Sequence, residues 1–125
     1  MLLYQKALMN SGVAAPAVDL IKVQAAGSPE NDAVEAQGLR DAFLRVPPLV
    51  SLKAAIGHTM GASGAAEVAL LTACLDRGVW PTYPDRVDKT LGVELAERPP
   101  GLVRLALATI LGFGGSHATV VLSCA

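Results

Sequence analysis

The segment that most constrains the fold is a helix-length apolar run that follows a glycine-rich turn. Between residues 65 and 75, every residue except Glu67 and Thr72 is apolar. A surface helix normally has one apolar stripe, whereas a helix that is apolar around most of its circumference must be covered on several sides. We therefore predict an enclosed helix over residues 61–77 that ends before Gly78. The alternative is an alanine-rich helix whose small side chains leave little area to bury.

Turn-forming residues divide the rest of the chain into helices and strands. We predict helices over 1–11 and 29–43, strands over 18–23, 49–52, 102–111 and 117–124, and irregular structure over the proline-rich residues 80–101. Ser28 is predicted to cap the second helix with its hydroxyl, and Pro29 suits its first turn. The glycines at 112, 114 and 115 indicate a hairpin. The order α-β-α-β-α-β-β predicts a layered α/β fold in a single domain over residues 1–125.

Composition and charge exclude several classes of function. Hydrophobic residues make up 52% of the 125 residues and charged residues 17%, which argues against intrinsic disorder. Ten Lys and Arg against eleven Asp and Glu give a net charge of −1, which argues against a nucleic-acid partner. The apolar runs are too short to span a bilayer, and no signal peptide is evident. We expect a cytoplasmic protein in which Cys74 and Cys124 are buried, reduced thiols.

The glycine-rich turn also carries the residues with the clearest chemical potential. Lys53 ends a predicted strand, His58 stands before the 61–77 helix, and Glu67 lies within that helix, where it is a candidate partner for Lys53. The positive end of a helix disfavours an imidazolium, so His58 is expected to be neutral at pH 7 and able to donate to a developing oxyanion. A purely structural histidine is the alternative. The glycine spacing does not fit a phosphate-binding loop, and we expect neither a metal nor a cofactor.

Four motifs, in order, resemble those of the β-ketoacyl-acyl carrier protein synthases, which are condensing enzymes of the thiolase-like fold. They are SPENDAVEA at 28–36, the lysine–histidine stretch at 53–67, VWPT at 79–82 and LGFGGSHA at 111–118, which resembles the GFGGTNA gate loop. The resemblance implies the C-terminal portion of a thiolase-like layered α/β fold, with a mixed sheet and a buried apolar helix.

The resemblance also implies roles for individual residues. It makes His58 and Lys53 catalytic and gives Glu67 a supporting role. Gly112, Phe113 and Gly114 would form a substrate gate and oxyanion region, which is expected to lie close to His58. The family's cysteine nucleophile belongs to an N-terminal half, and neither cysteine of this chain stands at its position.

One position departs from the family pattern. Gln24, Ala25 and Ala26 stand where the family has an HGT motif with its first catalytic histidine. Glutamine has no proton to exchange near pH 7, so we expect Gln24 to be a degenerate catalytic position.

Two functions follow from the resemblance. The first is a portion of a synthase of fatty acid or polyketide synthesis, inactive alone, that condenses acyl and malonyl thioesters of acyl carrier protein. The second is a non-catalytic subunit like a chain-length factor, which Gln24 favours and the retained His58 and Lys53 oppose. Both predict a homodimer or a heteromer with a synthase chain, whereas an unrelated small binding domain, the third reading, predicts a stable monomer.

Overall fold

The helices and strands follow the predicted order along the chain. A computed structural model describes residues 2–81, 83, 88–112 and 116–123. The elements are α1 (Leu2–Ser11), β1 (Leu20–Lys22), α2 (Pro29–Ala42), β2 (Leu49–Val50), α3 (Lys53–Ile56), α4 (Ser63–Arg77), β3 (Leu105–Leu111) and β4 (His117–Ser123). Single 3₁₀ turns lie at Ala15–Ala17, Met60–Ala62 and Lys89–Leu91. The strands are shorter than predicted, and the one-turn helix α3 was not predicted.

The strands form one mixed sheet. Within the described residues its order is β2-β1-β3-β4, with β1 parallel to both of its neighbours and β4 antiparallel to β3. The register runs from Leu105 opposite Ser123 to Leu111 opposite His117, which confirms the predicted hairpin. Successive side chains of a strand point to opposite faces, so β1 contributes to the packing on both sides of the sheet.

Two apolar clusters cover the two faces. On one face, α1 and α2 pack against Ile21 and Leu107, with Tyr4 and Phe43 in an edge-to-face contact at 6.1 Å between ring centroids. On the other face, Leu71 of α4 packs with Leu20 of β1. The buried side chains of β1 therefore lie between two helical layers, as expected for a central strand of an α/β fold.

The helix α4 is buried along one face only. Ser63, Gly64, Glu67 and Leu71 are buried, and Ala69 on the opposite side is exposed. The sheet covers a single face of α4, so the described residues of this chain do not enclose the helix, and its predicted enclosure, which needs a second chain, stays a prediction. Among the described helices, none combines the length and the apolar content that crossing a membrane requires.

Three local predictions were wrong. Ser28 stands at the N-cap of α2, but its hydroxyl bonds Glu30 at 3.3 Å and not a helix N–H. Lys53 starts α3 instead of ending a strand, because β2 stops at Val50. The Cys74 thiol is half-buried on α4, since that side of the helix is only partly covered, and Cys124 lies outside the described residues.

Candidate functional site

Three buried charged side chains form an ion cluster beneath α4. The ammonium of Lys53 lies 2.8 Å from Oε2 of Glu67, and the ammonium of Lys22 lies 3.0 Å from Oε1 of the same carboxylate. The Glu67 and Lys22 side chains are fully buried, and that of Lys53 is 6% exposed. The pairing of Lys53 with Glu67 is therefore confirmed, and Lys22 joins them although it was not predicted to.

The cluster holds two ammonium groups and one carboxylate. Desolvation by burial lowers the pKa of Lys22, and the nearby charge of Lys53 adds to that effect, while the Glu67 carboxylate opposes it. A buried cation is tolerated only when it is paired and hydrogen-bonded. Glu67 is thus the residue on which both lysines depend.

His58 stands on the loop between α3 and α4, as predicted. It is exposed, and it precedes the 3₁₀ turn Met60–Ala62 that leads into α4. The backbone N–H of Met60 donates to Nδ1 of His58 at 3.0 Å. A ring nitrogen that accepts a hydrogen bond carries no proton, so the neutral imidazole holds its proton on Nε2 and can donate it outward.

Glu35 of α2 organises the loop that follows β1. Its Oε1 accepts the backbone N–H of Gln24 at 2.7 Å, and its Oε2 accepts the N–H of Ala25 at 2.9 Å. The hydroxyl of Tyr4 also donates to Oε1, at 3.2 Å, and accepts from Thr109 at 3.1 Å. Burial, followed by the charge of Glu35, raises the pKa of Tyr4 well above its ordinary value.

The backbone at Ala25 has a φ of 40°, in the region that favours glycine. The HGT motif of the family that this segment resembles has a glycine at the corresponding place. The hydrogen bonds that the N–H groups of Gln24 and Ala25 donate to the Glu35 carboxylate hold the loop in this conformation despite the Cβ of alanine.

Gln24 lies at the junction of this loop with the end of β3. Its side chain contacts the backbone of Leu111, with Nε2 3.5 Å from the carbonyl oxygen and Oε1 3.4 Å from the nitrogen. Gln24 is only 5% exposed. The structure therefore places the predicted degenerate position directly beside the strand that leads to Gly112.

A cavity of about 480 Å³ opens beside this site. Lys53 and His58 line it together with Ala25, Glu35 and Leu49. The predicted catalytic residues Lys53 and His58 thus line one cavity. Phe113 and Gly114 lie outside the described residues, so the predicted proximity of His58 to this part of the chain stays a prediction.

Sequence reasoning missed Lys22, Glu35 and Tyr4. Glu35 lies inside the SPENDAVEA stretch and is buried in α2. Its place in that motif is the signal from which a role for its carboxylate could have been inferred. Lys22 is a charged residue between Ile21 and Val23 in a predicted buried strand, and a lysine at such a position needs an anionic partner. Tyr4 gives no comparable signal, since its partners lie 31 and 105 positions away in sequence.

Comparison with solved structures confirms the thiolase-like fold. The ishigamide ketosynthase/chain length factor matches 95% of this chain with a TM-score of 0.83 and 23% identity. The ketosynthase from module 6 of the bacillaene synthase of Bacillus subtilis 168 matches 93% of it, with a TM-score of 0.73 and 18% identity. The match covers 31% and 25% of those chains, respectively.

Sequence comparison gives relatives that are much longer than this chain. The mitochondrial 3-oxoacyl-[acyl-carrier-protein] synthase of Arabidopsis thaliana is 30% identical over 93% of this chain, which spans 27% of that relative's length. The spectinabilin polyketide synthase system protein NorA of Streptomyces orinoci is 34% identical over 94% of the chain, which spans 7% of its length. The family described as "Beta-ketoacyl synthase, C-terminal domain" matches residues 1–85. Because that match covers more than half of the 125 residues, the chain belongs to the β-ketoacyl synthase family through its C-terminal domain.

Proposed function

We propose that this chain is the C-terminal portion of a β-ketoacyl-acyl carrier protein synthase-like protein of fatty acid or polyketide synthesis, and that it is inactive alone. The observation that carries the proposal is that Lys53, whose ammonium is held on Glu67, lines the same cavity as His58. A cavity lined by a lysine and by a histidine that can donate a hydrogen bond is suited to stabilising negative charge that develops during a reaction.

Each residue has a defined part in the proposed condensation. Loss of carbon dioxide from a malonyl thioester leaves an enolate. The enolate oxygen accepts a hydrogen bond from the Nε2–H group of His58. The enolate carbon then attacks an acyl thioester carbonyl carbon, and the cysteine thiolate of a segment outside this chain leaves. Lys53 supplies positive charge, Glu67 holds it in place, and Gly112, Phe113 and Gly114 border the acyl group.

A second function is favoured by one observation. Gln24 is buried and bound to the backbone of Leu111, so the residue at the first histidine position is already engaged in a structural contact. Under this second function, the chain belongs to a non-catalytic subunit of a synthase heterodimer. Such a subunit resembles a chain-length factor and shapes the tunnel for the growing acyl chain.

The proposed partners follow from the same reading. Acyl carrier protein thioesters would be the substrates of the completed protein, and a homodimer or a heteromer with a synthase chain would complete the fold around α4. The proposed location is the cytoplasm, and the proposed chemistry uses no cofactor.

A chimeric enzyme tests the two functions against each other. The portion of the Arabidopsis synthase that this chain matches is replaced by the chain, and condensation of acyl and malonyl thioesters of acyl carrier protein is measured. Because general acid–base groups contribute roughly 10²–10⁴-fold, we expect a chimera slower than its parent by about that factor. His58→Ala should abolish the remaining rate.

Matched controls make the result specific. The parent enzyme with glutamine at the position matching Gln24 shows how much of the loss this residue alone causes. Circular dichroism confirms that each variant is folded. Turnover of the 125-residue chain alone at about 1 s⁻¹ or more, or acylation of Cys74, would contradict inactivity alone. A folded chimera without any His58-dependent turnover would favour the non-catalytic subunit.

A further inference from the structure

Strand β3 extends beyond the end of β1, which is one of the two strands that pair with it. The last residue of β1, Lys22, pairs with Ala108, whereas β3 continues to Leu111. Within the described part of the chain, no strand bonds the backbone groups of β3 past this point that face β1. Leu111 is half-buried. Backbone N–H and C=O groups that are shielded from water are paired in almost all native structures, so these groups need another partner.

The hairpin determines which way the groups of Leu111 point. The N–H of Gly112 donates to the carbonyl of Ser116 at 2.7 Å, while Leu111 and His117 are the opposed pair next to it. In an antiparallel pair, hydrogen-bonded and non-hydrogen-bonded positions alternate. The N–H and C=O of Leu111 are therefore directed away from β4, toward the β1 side of the strand.

The side-chain amide of Gln24 meets both of these groups. Its oxygen lies 3.4 Å from the Leu111 nitrogen, and its nitrogen lies 3.5 Å from the Leu111 carbonyl oxygen. The backbone N–H of Gln24 donates to Oε1 of Glu35 at 2.7 Å. This bond fixes the backbone position from which the Gln24 side chain extends. An amide contact thus continues the β1–β3 pairing where the β1 backbone has ended.

The chemistry of the amide explains why glutamine suits this position. A side-chain amide carries its NH₂ donor and its oxygen acceptor side by side. The backbone N–H and C=O along one edge of an extended residue are arranged in the same way. The two ring nitrogens of a histidine point in divergent directions, so an imidazole cannot serve both groups of one residue. A leucine or another apolar residue of similar size would leave both groups unpaired.

We propose that Gln24 is a positioning residue that anchors the end of β3, and with it the start of the β3–β4 connection at Gly112, by pairing its side-chain amide with the backbone of Leu111. Position 24 then has a structural role in this chain, which is to hold the end of β3. The proposal concerns a contact within the fold and does not depend on whether the completed protein catalyses condensation.

Hydrogen exchange of the 125-residue chain, measured by NMR residue by residue, tests the anchor. The readout is the exchange rate of the Leu111 N–H divided by that of the Ile110 N–H, which the same alternation directs toward β4. A general loss of stability accelerates the exchange of both amides, so a change in the ratio reports only a change in the contact between Gln24 and Leu111. In the unmodified chain, we expect Leu111 to exchange at least about tenfold more slowly than an unstructured amide.

Three variants define the outcome. Gln24→Leu and Gln24→His should each raise the ratio by about tenfold or more, because neither side chain can serve both backbone groups. Gln24→Glu should raise it less, since the acceptor for the Leu111 N–H remains. Gln37→Leu, at an exposed position of α2, is the matched control and should leave the ratio unchanged.

Two results would overturn the proposal. One is an unprotected Leu111 amide in the unmodified chain, which needs no variant to fold. The other is a ratio that stays unchanged in Gln24→Leu. A ratio unchanged in Gln24→His alone would overturn the requirement for an amide. Because no condensation is measured, each of these failures is distinct from a failure of the proposed function.

Discussion

The carboxylate of Glu35 accepts the backbone N–H of Gln24 at 2.7 Å, although the two residues lie 11 positions apart in sequence. The same carboxylate bonds the N–H of Ala25 and the hydroxyl of Tyr4. One buried side chain of α2 therefore connects α1 with the loop after β1. That loop carries the position where the family has a catalytic histidine, so its conformation depends on Glu35.

Substitution of Glu35 by glutamine should destabilise the chain. The amide keeps one acceptor oxygen but turns an NH₂ group toward a backbone N–H, which leaves a buried donor unpaired. We expect a loss of about 1–3 kcal/mol in the free energy of unfolding, measured by urea denaturation. Glu97→Gln, at an exposed carboxylate, is the control and should change it little. Equal effects of the two substitutions would contradict the bridging role.

Tyr4→Phe should make stability less sensitive to alkaline pH. At pH 7 the variant loses the bond to Glu35 and the acceptor for Thr109, at a cost of about 1–2 kcal/mol. Burial raises the pKa of Tyr4 from its ordinary 10.0, so in the folded chain it stays protonated above that pH while the unfolded chain ionises. The stability that Tyr4 contributes is therefore complete below pH 10 and is lost as the pH rises further.

The difference in unfolding free energy between the unmodified chain and Tyr4→Phe should accordingly narrow above pH 10. Tyr83, whose pKa burial also raises, is present in both proteins and cancels from the comparison. A difference that is constant from pH 7 to pH 11 would show that Tyr4 titrates alike in both states.

The ion cluster should respond very differently to loss of its anion and loss of one cation. Glu67→Gln leaves two buried ammonium groups without a carboxylate, and we expect it to cost about 3–5 kcal/mol. Lys22→Met leaves the Lys53–Glu67 pair intact and removes the surplus charge, so its cost should stay below about 1 kcal/mol. In the double variant, the two effects should not add, because the residues share one network. A costlier Lys22→Met than Glu67→Gln would refute this account.

Gly64→Ala should loosen the contact between α4 and β3. A Cβ at Gly64 would lie 2.9 Å from Cδ1 and 3.1 Å from Cγ2 of Ile110. Overpacking of this kind costs about 1–3 kcal/mol, and the higher helix propensity of alanine offsets about 1 kcal/mol of it. We expect a net loss in thermal or urea unfolding that Ile110→Val partly restores.

Gly61→Ala serves as the matched control for that experiment. Apart from its two chain neighbours, no described residue has an atom within 4 Å of a Cβ built at Gly61, and its backbone does not require glycine. Its stability should equal or exceed that of the unmodified chain. If Gly64→Ala were as well tolerated as Gly61→Ala, the close approach of α4 to Ile110 would not be a constraint on the fold.

The exposed face of α4 should mediate association. Ala65, Ala69 and Ala73 form an exposed apolar stripe on the side of the helix away from the sheet. We expect the 125-residue chain to self-associate in sedimentation velocity at micromolar concentration, and Ala69→Glu to weaken this association. Ala33→Glu, on the exposed side of α2, is the control. A monomer in all three samples would contradict the predicted assembly.

Local sequence patterns were sufficient for most of the secondary structure and for one ion pair. The glycines at 12 and 78 follow α1 and α4 with φ values of 68° and 64°, and the pairing of Lys53 with Glu67 joins two residues of a single motif, 14 positions apart. Such features depend on steric preferences and contacts between residues that are close along the chain. The 61–77 helix was predicted for the same reason, and its enclosure on all sides stays a prediction because it needs a second chain.

Contacts between distant residues were decided by the tertiary structure. Lys22 meets Glu67 across 45 positions, and Gln24 meets Leu111 across 87. Both contacts exist because β1 lies beside β3 and beneath α4, and because β1 ends before β3 does. The sequence by itself determined most of the segments that become helices and strands, though not the one-turn helix α3, since those preferences act between neighbours. The order of the strands in the sheet results from the combined burial of both of its faces, and only that order brings these side chains together.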